Sequence, residues 1–280
     1  MQTILLCSDL DRTLIPNGTV KESLQARERF ARLASHTDME LAYVSGRDRG
    51  LVQAAIDQYA LPVPSAAICD VGATLYHVRG STWERDRAWE EEIGRDWKGY
   101  DHIGITRLLA DVQPKKFWLQ PVEKQSRYKI SYFADTTMDI DLLRKRISDT
   151  LDQKKIPANI ICSVDEAENL NLVDILPPSA NKLLAIRFLI QQQGMDEKHV
   201  VFAGDSGNDL DVLTSGIQSI LVGNAADDVR KAAIDRLAGK GLSEERLYLA
   251  RGDFDGMNGN YAAGVLEGIA HFFPETSAWF

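Results

Sequence analysis

Two aspartates, Asp9 and Asp11, close an apolar run in the segment "TILLCSDLDRTL" (3–14). A buried strand ending there sends both carboxylates to one side, where they repel each other and add nothing to folding. A second acidic group lies far downstream in "GDSGND" (204–209), which carries Asp205, Asn208 and Asp209. Thr13 follows the first pair, Ser45, Gly46 and Arg47 follow "ELAYV", and Lys182 stands at the head of a helical pattern. Oxygen donors with no His or Cys nearby suit Mg2+, which keeps several waters and accepts phosphate oxygens. Beside such an ion, Ser45 can donate a hydroxyl hydrogen bond to a phosphate and Lys182 can supply a point charge. Asp9 is then placed to attack phosphorus, and Asp11 to protonate the leaving alcohol and later deprotonate water. Arg47 is open between a phosphate or substrate contact and a structural ion pair.

These side chains come from distant stretches, so the fold must gather them. Strand-like runs at 3–8, 40–45 and 65–70 alternate with helical patterns at 22–33, with Leu24, Phe30, Ala31 and Leu33 apolar, and near 51–59. The rhythm resumes with a helix at 181–193, a strand at 200–204 and a helix after Asn208. Strands at 218–223 and 246–250 and a helix at 261–272 complete it. Near-continuous apolar strands between helices predict a parallel sheet covered on both faces, with ligands outside the strands' carboxyl ends. The texture changes between 81 and 176. Strand patterns at 128–134, 158–164 and 170–175 occur there, with a helix presenting Ile140, Leu143, Ile147 and Leu151 on one face. The predicted architecture is therefore α/β: a Rossmann-like parallel sheet core from 1–80 and 177–280, interrupted by a smaller α+β cap at 81–176.

Composition narrows the class. The chain has 280 residues, 44% hydrophobic, enough for a full core. A formal charge of −9 argues against a nucleic-acid surface. Neither a signal peptide nor a membrane span is expected, three cysteines suit reduced core thiols in a cytoplasmic protein, and a monomer is expected. Trp83, Trp89, Trp97 and Trp118 fall in the insertion, where they either stack on a sugar or fill the module's core.

In their order along the chain, "DLDRT", "SGR", Lys182 and "GDSGND" resemble the four signature motifs of the haloacid dehalogenase superfamily of phosphohydrolases. The resemblance implies Asp9 as nucleophile and Asp11 as acid/base. It implies Mg2+ bound by Asp205 and Asp209 together with Asp9 and Asp11. Phosphate would meet Ser45 and Lys182, with Thr13, Gly46 and Asn208 assisting. An insertion between the second and third motifs is where this superfamily places its larger cap. Within that branch, "KISYF" (129–133), "DILPPSANK" (174–182) and "GVLEGIAHF" (264–272) look most like sucrose-phosphate phosphatase and its bacterial relatives. That likeness implies a glycosyl phosphate substrate, sucrose 6-phosphate first, with mannosylfructose phosphate and glucosylglycerol phosphate as competitors. Arg47, Lys129, Asn169 and Asn171 are the expected sugar contacts. The stretch at 165–177 is longer than the sucrose enzymes' sugar-holding segment and lacks its Gly-Lys. A non-catalytic module recruiting a sugar-phosphate synthase is the rival reading, and the likeness implies transient association with such a synthase for the enzyme too. Intact motifs favour the enzyme.

Overall fold

The computed structural model describes residues 3–112, 115–165 and 168–280. In chain order the elements begin β1 (Ile4–Ser8), α1 (Ala26–Ala34), β2 (Met39–Val44), α2 (Arg49–Tyr59), β3 (Ala66–Cys69), β4 (Thr74–Arg79) and β5 (Thr82–Arg85). There follow α3 (Arg87–Gly94), α4 (His102–Leu108), β6 (Phe117–Leu119), β7 (Ile130–Asp135), α5 (Ile140–Gln153), β8 (Asn159–Asp165) and β9 (Leu170–Leu176). The chain closes with α6 (Lys182–Gln193), β10 (Val200–Gly204), α7 (Leu210–Leu213), β11 (Gln218–Leu221), α8 (Asp227–Lys240), β12 (Leu247–Leu249) and α9 (Ala262–Phe272).

Two compact units result. The first comprises Met1–Gly72, Tyr76–Glu84 and Lys182–Phe280, and the second Ala73–Leu75 with Arg85–Asn181. The insertion was expected at 81–176. The difference arises because β4 and β5 extend the main sheet beyond β3, which leaves Tyr76–Glu84, and Trp83 with it, in the first unit. Only two residues separate β4 from β5, so the pair forms a hairpin.

The main sheet runs β12-β11-β10-β1-β2-β3-β4-β5, and the six strands from β12 to β3 pair in parallel. Every residue of β1 and β10 is buried, which is why both read as unbroken apolar runs. Successive strands step one way from β1 and the other way from β10. The order therefore reverses between these two neighbours, and a crevice opens at their carboxyl ends. Leu6, Phe30, Tyr43, Val201, Leu266 and Ile269 are among the buried side chains of the core that fixes the sheet's position.

Helix starts separate the acids by role. Asp48, Asp86, Asp101 and Asp139 cap α2, α3, α4 and α5, each accepting the backbone N–H three residues on. Asp9 precedes no helix. The helical pattern at 22–33 is shorter than expected: α1 begins at Ala26 because Gln25 has a left-handed backbone, and Leu24 stands 93% exposed.

In the second unit β6-β7-β9-β8 form an antiparallel sheet. Ile130, Tyr132, Val173 and Ile175 share one buried face, and α5 buries Leu143, Ile147 and Leu151. Trp89 and Trp97 are fully buried in this unit, whereas Trp118 is 43% exposed.

Candidate active site

Asp9 is the first residue past β1, and its N–H donates to the Ala203 carbonyl of β10 at 2.9 Å, which ties it to the crevice. Asp205 follows β10 directly. Asp209 ends the next turn and folds back, its Oδ2 accepting the N–H groups of Asp205 (3.1 Å) and Ser206 (3.2 Å). That return needs Gly204: a Cβ there would stand 2.7 Å from the Asp209 Cγ. Asp9, Asp205 and Asp209 are all buried, and each offers an oxygen within 4.8 Å of the others.

Lys182, the first residue of α6, enters this knot almost fully buried. Its Nζ donates to Asp209 Oδ1 at 2.7 Å and pairs with Asp9 Oδ1 at 3.2 Å. Burial alone would lower the ammonium's pKa, but Asp209 and Asp9 more than offset it and hold the charge in place. One lysine cannot neutralise three carboxylates. Burial, opposed by Lys182 and reinforced by Asp209, pushes the Asp9 carboxyl up to about 8. Burial and then Asp209 raise Asp205 to about 6. Asp205 Oδ2 is buried without a hydrogen-bond partner, the Arg12 Nε lying 3.5 Å away. An orphaned oxygen in an all-oxygen set with surplus negative charge fits a hard divalent cation. The three residues can hold a metal ion.

Asp11 behaves differently. Arg47 grips it in a bidentate pair, Nε to Oδ2 and Nη2 to Oδ1, each 2.7 Å. Asn17 Nδ2 donates to Oδ1 at 2.7 Å. Burial pushes this carboxyl up, but Arg47 and Asn17 hold it below the usual carboxylate range. Of the four aspartates expected around one cation, the carboxylates of Asp9, Asp205 and Asp209 converge, and the side-chain charge of Asp11 is met by a guanidinium. The ion-pair alternative for Arg47 is the one observed.

The remaining predicted residues divide by position. Thr13 is buried and its hydroxyl donates to Asp205 Oδ1 at 3.3 Å. Ser45 is buried, its Oγ accepting the Arg47 N–H at 3.2 Å, while Gly46 is exposed. Asn208 is exposed, with Oδ1 3.3 Å from Lys182 Nζ. In the second unit Lys129 is 6% exposed and lies 3.9 Å from Asp174 Oδ1. Asn171 shares the buried sheet face with Val173 and Ile175, and its Nδ2 donates to the Asp135 carbonyl. Asn169 is exposed with a left-handed backbone. Residues 166 and 167 of the 165–177 stretch lie outside the described residues. Asn17 and Arg12 are additions that sequence reasoning missed. Asn17 sits in an ordinary-looking Pro-Asn-Gly turn, which carries no chemical signal.

A family model described as sucrose-6F-phosphate phosphohydrolase matches residues 2–273. A protein of Nitrosococcus oceani named as a HAD-like hydrolase is 53% identical over 278 residues, covering 99% of this chain and 74% of its own length. Mannosylfructose-phosphate phosphatase of Agrobacterium fabrum is 28% identical over 273 residues, 96% of each chain. The structure of sucrose-phosphatase from Synechocystis in complex with sucrose and phosphate superposes with a TM-score of 0.69 at 23% identity, over 97% of this chain and 98% of that one.

Proposed function

The chain belongs to the sucrose-6F-phosphate phosphohydrolase family and is a phosphatase, and from that premise we propose that it hydrolyses a glycosyl phosphate, sucrose 6-phosphate foremost. The observation that carries the reading is the buried knot of Asp9, Asp205 and Asp209 around a single lysine. Folding alone gives no reason to bury three acids around one buried lysine, with only the half-exposed Arg12 beside Asp205; an anionic substrate arriving with a cation does.

Mg2+, held by Asp9, Asp205 and Asp209, would screen the approach of a carboxylate to a phosphate and stabilise charge developing on it. A carboxylate oxygen of Asp9 attacks phosphorus, the phosphorus–oxygen bond to the sugar breaks, and an aspartyl phosphate remains. Asp11, after taking a proton from solvent, gives it to the departing sugar oxygen. Asp11 then takes a proton from water, whose oxygen cleaves the aspartyl phosphate and restores Asp9. Lys182 opposes the burial that favours the neutral form of Asp9, and supplies positive charge to the transferring group. Ser45 donates its hydroxyl to a phosphate oxygen, with Thr13, Gly46 and Asn208 lining the same crevice. Arg47 fixes the Asp11 rotamer and yields its grip as Asp11 takes up a proton.

The family description supports sucrose 6-phosphate. Likeness to the Agrobacterium phosphatase over nearly the whole of both chains supports mannosylfructose phosphate as a second reading. Free cysteines support cytoplasmic residence; among the described residues no helix is long and apolar enough to cross a membrane. Phosphate release should be measured with Mg2+ on sucrose 6-phosphate, mannosylfructose phosphate, glucosylglycerol phosphate and glucose 6-phosphate. Highest kcat/KM on sucrose 6-phosphate is expected. Equal values for the disaccharide esters and glucose 6-phosphate would overturn the substrate assignment.

A further inference from the structure

Three consecutive residues after β3 have left-handed backbone: Asp70 (φ 54°), Val71 (φ 60°) and Gly72 (φ 103°). Gly72 adopts this without strain. Val71, branched at Cβ, does not. Such conformations persist only where their surroundings over-determine them, and they cluster where geometry matters to function. The surroundings here are the loop that follows β2. The Asp70 N–H donates to the Arg47 carbonyl at 2.9 Å, and the Val71 N–H to the Ser45 carbonyl at 3.2 Å. The Ser45 N–H donates in turn to the Ile68 carbonyl of β3 at 2.8 Å. Val71 Cγ2 stands 3.8 Å from the place a Cβ on Gly46 would occupy, so the valine side chain lies over that glycine. Residues 45, 46 and 47 are each engaged from the same strand and turn. If residues 70 and 71 relaxed to right-handed or extended backbone, both donors would swing away from the loop. The same turn ends the first of the three segments of the first unit, since the chain passes to the second unit at Ala73.

We propose that Val71 is a positioning residue whose left-handed backbone and side chain hold loop 45–47 in the geometry that receives phosphate. Its consequence for catalysis rests on the phosphatase reading, through the Ser45 hydroxyl and the Arg47 grip on Asp11. Its structural half stands apart from that reading. None of the sequence motifs includes residue 71, and nothing in "AICDVGATLY" marks it, because a valine reads there as one more apolar strand residue.

Two variants test the assignment. Val71→Gly relieves the backbone strain, keeps the N–H, and removes both the fixed turn and the cover over Gly46. Val71→Ile keeps a branched Cβ and a γ-methyl in place. For Val71→Gly, KM for the sugar phosphate and Ki for inorganic phosphate should rise together by about three- to tenfold, the range one hydrogen bond commands. The melting temperature should not fall, because strain has been removed. Val71→Ile should restore both constants. Hydrogen exchange without any ligand should show faster exchange at 45–47 in Val71→Gly, with the rest of the sheet unchanged. Unchanged Ki together with unchanged exchange at 45–47 would overturn the proposal. So would a lower melting temperature with exchange raised throughout, which is the mark of a merely structural residue. If the wild-type protein hydrolyses no phosphate ester, the phosphatase reading fails, and the exchange measurement still decides whether residue 71 holds the loop.

Discussion

Replacing Asp205 with Asn should stabilise the metal-free protein at pH 8 and leave it unchanged near pH 4. Asp205 is 3% exposed. Burial first, and Asp209 second, raise its carboxyl from 3.8 to about 6, against the pull of Arg12, the Thr13 hydroxyl and Lys182. For an acid, a value raised by folding means that the ionised form destabilises the folded state. The penalty is absent below the unfolded value of 3.8, grows as pH rises towards 6, and is complete above it. At its full extent it reaches about 3 kcal/mol. Asn is isosteric, its oxygen still accepts from Thr13, and its amide can donate to the neighbouring carboxylates. Calorimetric melts in excess chelator should therefore show the variant melting about 2–6 °C higher at pH 8, with the gain vanishing near pH 4. Added Mg2+ should raise the wild-type melting temperature by mass action and leave the variant's unmoved, which erases the gain. A variant less stable than wild type at pH 8, or a gain independent of pH, would refute the claim that these carboxylates strain the fold until a cation arrives.

Lys182→Met should destabilise the metal-free protein by about 3–5 kcal/mol in chemical denaturation, because it strands Asp9 and Asp209 without the buried cation that pairs with both; a loss below about 1 kcal/mol would contradict the pairing. Arg47→Ala removes the main partner that lowers Asp11, so the basic limb of the kcat/KM profile should move to higher pH; an unmoved limb would show that Asp11 does not set it. Asp9→Asn should cut turnover by on the order of 10³-fold or more while the melting curve stays cooperative, and near-normal phosphate release would remove Asp9 from the nucleophile's role.

The main sheet was legible because β1, β2, β3, β10 and β11 are buried on both faces and so read as unbroken apolar runs. The site was legible because polar residues ending such runs must collect at one rim. Side-chain pairing was not. The two acids of "DLD" share a parity in sequence, yet Asp11 turns to Arg47, a choice between rotamers that spacing does not encode. The four-residue overreach at the start of α1 has a similar cause: Leu24 fits the helical period, but the left-handed Gln25 ends the pattern before it. β4 and β5 were missed because Thr74–Arg79 and Thr82–Arg85 mix charged residues with apolar ones at the sheet's edge. α8 was missed for want of contrast, since only Ala233 and Leu237 are buried in its fourteen residues. Strand alternation carries Asn171 into the buried face beside Val173 and Ile175, a placement its residue type alone does not announce.

The most direct test of the chemistry is to mix the enzyme with sucrose 6-phosphate and Mg2+, quench in acid within milliseconds, digest, and weigh the peptides by mass spectrometry. One phosphoryl group on the peptide containing Asp9, absent from Asp9→Asn and lost as turnover completes, is the result this account predicts. Steady phosphate release with that peptide never modified, or with the phosphoryl group on another residue, would contradict it.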